Sequence, residues 1–250
     1  SIMEHYRDSL THILAELKRI DLLIRAQVYR ARQLRPAEDE LDAFYISEEE
    51  INELLERPVG LPRWAREQLP SSWPDVRKSL EQISANIAHR KEISAEQGIR
   101  LRLSELARHF ELTAFDVDIL LICLAQELDL RYERLYAYLQ DDMSKKRPTV
   151  DLVLNLLCPS FIAKVAARRR FVPSAPLLKH HLLHLGGPPS HEQVPLLSQA
   201  LKVDERVVQY LLDGDEIEAR LLPYVRLVLC ARPILERDQR KSGQTSKKRF

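Results

Sequence analysis

The chain of 250 residues is 45% hydrophobic, 30% charged and 6% aromatic, which is typical of a soluble globular protein rich in helix. Its 38 Lys and Arg nearly balance its 37 Asp and Glu, so the net charge of +1 favours neither a nucleic-acid nor an acidic partner. None of the six glycines precedes a Lys, which excludes a Walker A phosphate loop from these residues, and a dinucleotide-binding glycine fingerprint is absent from them too.

The spacing of the cysteines and the lengths of the apolar runs indicate in which compartment the protein is expected. Cys123, Cys158 and Cys230 lie far apart in apolar stretches, and an odd number without paired spacing favours free thiols in a reducing environment. No secretory signal and no run of 18 apolar residues is visible, so we expect a cytoplasmic protein without a membrane partner. Met3 is interpreted as the natural start, preceded by two residues of cloning origin.

The first part of the chain is predicted to be a long amphipathic helix that ends at Pro36. Its apolar residues recur at three- and four-residue spacing and are Leu10, Ile13, Leu14, Leu17, Ile20, Ile24 and Val28. After an acidic loop at 38–42, Ser47 is predicted to cap a short helix. The apolar side of that helix consists of Ile51, Leu54 and Leu55.

A cluster of prolines follows, at positions 58, 62, 70 and 74, and favours turns and short helices. Trp64 and Trp73 are expected to hold these turns against the core. The next proline is Pro148, so the interval between is predicted to be nearly all helix. Its first helix runs from Asp75 to Ala95 and ends near Gly98; its apolar face is Val76, Leu80, Ile83 and Ile87.

Residues 104–110 and 115–128 have the spacing of a helix–turn–helix, with Thr113 as the cap of the second helix. A recognition helix needs cations or amides that face DNA. Residues 112–130 contain no Lys or Arg; they carry four acids, Asp116, Asp118, Glu127 and Asp129. The second helix is also strongly apolar, so we expect it to be structural. Further helices are predicted at 131–140 and 149–157.

The last third changes in pattern. A short basic helix at 161–171 is followed by two predicted strands, 177–185 and 194–201, which the turn at 186–189 joins. Asp204 is predicted to cap a helix that ends near Gly214. Helices followed by a two-stranded hairpin describe a winged helix. We therefore predict a mainly α protein: a helical N-terminal region (1–98) packed on a winged-helix-like domain with one small β-hairpin (99–235), and a basic flexible tail (236–250).

Candidate sites are few. A candidate binding patch consists of Lys164, Arg168, Arg169, Arg170 and Lys179; its alternative interpretation is a solvated helix end. The histidines at 180, 181, 184 and 191 suggest a metal cluster, but the H-E-x-x-H spacing is missing and no cysteine is near, so we expect no metal site. No catalytic constellation stands out, so we expect no enzyme activity, no catalytic residue and no cofactor in this chain.

Two blocks, residues 112–150 and 196–214, resemble the N-terminal, winged-helix-containing region of a family of bacterial AAA+ ATPases. The residues of the first block that match the family motif are interpreted as structural; they are Tyr136, Tyr138, Asp141, Arg147, Pro148 and Thr149. Some members of that family are encoded with extracellular contractile injection systems. The resemblance implies that ATP and Mg²⁺ bind in an ATPase module absent from these residues, so no ATP-site residue can be assigned here.

The resemblance implies a recognition or regulatory region that binds a protein client, or a component of a tail-like particle, and couples it to its own ATPase ring. The alternative is a nucleic-acid-binding regulator that uses the wing and residues 168–170; salt-sensitive binding would distinguish it. A third alternative is an enzyme of unrecognised type, which a large pocket with convergent pKa-shifted groups would indicate. The fragment itself is expected to be a monomer or a weak dimer.

Overall fold

The predicted architecture, mainly α with one small hairpin, is confirmed in the computed structural model, which describes residues 4–34, 46–186 and 193–212. The helices are α1 (Ser9–Arg32), α2 (Glu48–Glu56), α3 (Val76–Glu96), α4 (Arg102–His109), α5 (Ala114–Leu128), α6 (Arg131–Leu139), α7 (Val150–Leu157), α8 (Phe161–Ala167), α9 (Pro176–Lys179) and α10 (Glu205–Leu212). Strands β1 (Leu183–Gly186) and β2 (Ala200–Val203) form the hairpin, and short 3₁₀ turns occupy Arg63–Arg66, Arg168–Phe171 and Leu196–Ser198.

Helix α1 is the central element of the fold. It begins at Asp8, whose carboxylate accepts a hydrogen bond from the backbone N–H of Thr11 at 2.7 Å, and it packs against α3, α4, α5, α6, α7 and α10. Most of the predicted apolar stripe is buried. Leu10 and Leu14 are exposed, however, because they lie outside the buried face of this helix, which includes the polar residues His12 and Glu16.

The segment between α1 and α4 touches the core at a few points. Ser47 caps α2 as predicted, since its hydroxyl accepts from the backbone N–H of Glu50 at 3.1 Å. Trp64 is buried in the core, while Trp73 is half-buried against the ring of Tyr29. The apolar faces predicted for α2 and α3 lie mostly outside the core. No residue of α2 is buried, and of the predicted apolar face of α3 only Ile87 is buried.

Helices α4 to α7 follow the predicted pattern closely. Glu111 adopts a positive φ of 55° between α4 and α5, and the backbone N–H of Leu112 returns to the carbonyl of Ala107 at 2.8 Å. Thr113 and Asp116 then form a capping box at the start of α5. All residues from Ile119 to Ala125 are buried, so the middle of α5 lies inside the core.

The wing differs from the predicted strands at 177–185 and 194–201, and both of these predictions are wrong in their bounds. Pro176 opens the short helix α9 instead, and His181, with a φ of 55°, turns the chain before β1 begins. Antiparallel pairing runs from Leu183 opposite Val203 to Gly186 opposite Ala200. The inward side chains of β1 and β2 close the core, and the other face of the hairpin is exposed.

One hydrophobic core joins α1, α5, α7, the wing and α10. Helix α1 therefore shares its core with the winged-helix elements, and the division into domains at residue 98 stays a prediction. The predicted turn after Gly186, the helix end at Gly214 and the tail at 236–250 lie outside the described residues. Among the described helices, none has the length and apolar character needed to cross a bilayer.

Candidate interaction surfaces

Helix α5 is the second helix of the predicted helix–turn–helix, and its middle is not available to a DNA groove. Its middle is buried from Ile119 to Ala125. Its first turn carries Asp116, whose side chain is 0% exposed. A helix that reads DNA must place cationic or amide side chains on base edges in the major groove. The structure therefore confirms the burial expected for this apolar helix.

The carboxylate of Asp116 is matched by Arg170, a member of the predicted basic patch. The guanidinium donates through Nε to Oδ1 at 3.0 Å and through Nη2 to Oδ2 at 2.5 Å, which is a bidentate pair. These hydrogen bonds, with the negative charge, raise the pKa of Arg170 above its ordinary value. Arg170 thus anchors the 3₁₀ turn after α8 to the start of α5.

Lys164 is the second member of the patch that is engaged inside the protein. It is 6% exposed, and its ammonium donates to three oxygens: the Gly60 carbonyl at 2.7 Å, Asp151 Oδ1 at 2.6 Å and Asn155 Oδ1 at 2.7 Å. The contact ties the 57–61 loop to α7 and α8. No local pattern points to it, because 104 residues separate Lys164 from Gly60.

The structure therefore does not bring the five predicted cations together on one surface. Arg168, Arg169 and Lys179 are exposed, while Lys164 and Arg170 are used by internal contacts. Ligand binding by the three exposed cations stays a prediction.

The exposed face of the wing carries a small polar cluster. His184 lies opposite Lys202 in the strand register, and its Nε2 lies 2.7 Å from Asp204 Oδ2. Arg206 donates to the other oxygen of Asp204 at 3.1 Å. Burial acts in the opposite direction, but the hydrogen bonds from His184 and Arg206 hold the pKa of Asp204 below its ordinary value.

The remaining histidines are dispersed. The His180 ring packs on Phe110, with centroids 4.9 Å apart, and His191 lies outside the described residues. His180 lies outside the wing strands, since β1 begins only at Leu183. Across residues 4–34, 46–186 and 193–212, no group of three potential ligands is arranged to hold a metal ion.

A buried polar chain connects α1 to α5. Glu16 accepts from Arg19 at 3.0 Å, and Arg19 also donates to Asp118 at 2.5 Å. Burial raises the pKa of Asp118 even though Arg19 acts against the rise. Cys123 lies nearby in sequence, and burial raises the pKa of its thiol far above the ordinary value, which favours the protonated form at neutral pH.

Exposed apolar side chains gather around α2 and α8. Ile162 is 80% exposed, Val59 and Leu55 are each 79% exposed, and Phe161 and Val165 are also exposed. Next to them is a cleft of about 560 Å³ whose lining includes the end of α1, the 57–64 loop, the end of α6 and α7. Scattered single apolar residues are normal on a surface, whereas a group of them indicates an interaction site.

A family model described as winged helix domain, variant, matches residues 2–225. No curated protein and no solved structure shows significant similarity to the chain.

Proposed function

Because the chain belongs to the family winged helix domain, variant, which indicates a regulatory, DNA-binding or protein-binding role, we propose that it is a non-catalytic recognition region that binds a protein. The observation that carries this proposal is the burial of α5. This helix is the second one of the helix–turn–helix predicted from the spacing of residues 104–128, the position that reads DNA in that motif, and here it forms part of the core instead.

The charges support the same conclusion. Phosphate binding needs exposed Lys and Arg side chains. Two of the five cations of the predicted binding patch, Lys164 and Arg170, form ion pairs with carboxylates of the same chain. The exposed apolar side chains around α2 and α8 supply the surface that protein recognition uses instead.

We further propose that this region belongs to an AAA+ ATPase and couples client binding to the ATPase ring, in the assembly or remodelling of a contractile tail-like particle. The support is the resemblance of residues 112–150 and 196–214 to that family. The first test is the complete reading frame of the gene. A Walker A motif, a Walker B motif and an arginine finger downstream of residue 250 support the assignment, and a frame without them contradicts it.

The client-binding role is tested with purified tube, sheath and baseplate proteins encoded near the gene, each passed over the immobilised chain. Specific binding of one component that survives nuclease treatment and changes little between about 50 and 200 mM salt supports protein recognition. Capture only of DNA, lost with nuclease, contradicts it and favours the alternative.

The alternative function, a nucleic-acid-binding regulator, is favoured by one observation. Arg168, Arg169, Lys179 and Lys202 are exposed, and Lys202 lies on the outer face of the wing. This alternative predicts a salt-sensitive gel shift that the double variant R168E/R169E abolishes. The matched control R77E/K78E reverses two adjacent exposed charges at the start of α3 and should leave the shift unchanged.

A further inference from the structure

Helix α2 is an amphipathic helix without a buried side chain. Its apolar side is Ile51, Leu54 and Leu55, and its acids are Glu48, Glu49, Glu50, Glu53 and Glu56. An amphipathic helix ordinarily buries its apolar side against another element. Within the described residues, α2 does not do so. Its apolar side is exposed beside Glu48, Glu49, Glu50 and Glu56, while Glu53 is paired with Arg57.

Helix α8 offers the opposite chemistry. Phe161, Ile162 and Val165 are exposed on it, and Arg168 and Arg169 follow directly and are exposed as well. The two other cations of this segment are already neutralised, one by Asp151 and the other by Asp116. The net character of this exposed face is therefore apolar with a positive end.

The two surfaces lie on the same side of the molecule, because the 57–61 loop connects them. The Gly60 carbonyl accepts from Lys164 of α8, and the Phe161 ring packs directly over Gly60. Leu54 of α2 lines the same cleft as Lys164. We call the combined surface, Ile51, Leu54, Leu55, Val59, Phe161, Ile162, Val165, Arg168 and Arg169 with the acids of α2, the α2–α8 face.

We propose that the α2–α8 face binds a second copy of this chain, with α2 of each copy placed on α8 of the other about a two-fold axis. In a two-fold symmetric dimer the same surface of each copy forms the contact, so that surface must be complementary to itself. The α2–α8 face meets this requirement, because α2 is apolar and acidic whereas α8 is apolar and is followed by basic residues. The inference rests on the proposed function, because it names a second copy of this chain as the protein that this surface binds. Client binding is tested separately with the purified particle proteins, so a failure of either proposal can be recognised.

The test is sedimentation velocity of the whole chain from about 1 to about 200 μM, a range that reveals micromolar association. Wild type should pass from monomer to dimer. Two charge-reversed variants, E49K/E56K on α2 and R168E/R169E after α8, should each dimerise at least about tenfold more weakly, because like charges then meet. An equimolar mixture of the two should dimerise as well as wild type, because both contacts of the mixed dimer are again complementary.

Two further variants complete the experiment. I162E places a charge in the α2–α8 face and should weaken the dimer, whereas L130E changes an exposed leucine at the α5–α6 corner and should not. Circular dichroism checks that each variant folds. A chain that stays monomeric throughout, or a mixture that is not rescued, overturns the proposal. Flotation with anionic vesicles that I162E abolishes, while dimerisation is unchanged, overturns it in favour of a membrane surface.

Discussion

The ion pair between Arg170 and Asp116 makes a quantitative prediction about a residue that sequence patterns place in a binding patch. In Arg170→Ala, the fully buried carboxylate of Asp116 loses two hydrogen bonds, at 3.0 and 2.5 Å. Removal of one partner of a buried pair costs about 3–5 kcal/mol. Because the Arg170 side chain is 24% exposed, water reaches its side of the pair, and we expect a loss of about 3 kcal/mol in the free energy of unfolding.

Urea unfolding followed by circular dichroism measures this loss, provided the slope with denaturant is unchanged. The matched control is Arg169→Ala, an exposed neighbour, which should stay within about 0.5 kcal/mol of wild type. A double-mutant cycle with Asp116→Ala should show that the two effects are coupled rather than additive. An Arg170→Ala protein as stable as the Arg169→Ala control would refute the reasoning, because Arg170 would then be free to bind a ligand.

Three other changes test the same account. Lys164→Met should lower stability by about 2 kcal/mol, because three oxygens lose their donor, and hydrogen exchange in the 57–61 loop should accelerate; unchanged exchange would show that the loop is held by other contacts. Gly60→Ala should cost about 1 kcal/mol or more in a thermal melt, because φ is +76° and a Cβ would lie 2.5 Å from the Phe161 ring; a neutral result would contradict this geometry. Asp8→Ala should cost about 1 kcal/mol at neutral pH through loss of a helix cap. The hydrogen bonds from Thr11 lower the pKa of Asp8, so the stability that Asp8 supplies is present above the ordinary carboxyl pKa and is lost as pH falls through the lowered value. The difference in stability between Asp8→Ala and wild type in urea titrations should therefore shrink in acid, as pH falls through that lowered pKa, and a constant difference would argue against it.

The helical part of the fold was largely predictable, because the residues that begin and end each helix act on their near neighbours in the sequence. Thr113 and Thr149 cap α5 and α7 through hydrogen bonds that span three residues, and such caps are visible in a sequence. The apolar composition of α5 likewise indicated burial rather than a DNA-reading role. These features depend on neighbours along the chain, so no tertiary information was needed.

The wing and the patch were harder to predict, because long-range contacts decide them. The apolar residues at 177–178 fit a strand or a short helix equally well, and Pro176 at a first helical position settles the choice. From the sequence, Lys164 and Arg170 are expected to be surface cations. Their partners, Gly60 and Asp116, are 104 and 54 residues away along the chain, so only the folded structure shows these contacts. Capping at Ser47 predicted that α2 exists but not that its apolar side is exposed, since exposure depends on what packs against a helix.

The central claim, that this winged helix recognises protein rather than DNA, is tested most directly by fluorescence anisotropy of a labelled random-sequence duplex at about 50 mM salt, where phosphate contacts bind strongly. The account predicts no binding of the wild-type chain at concentrations up to tens of micromolar. Binding that weakens steeply as salt rises to about 200 mM, and that R168E/R169E abolishes while R77E/K78E preserves it, would contradict the account.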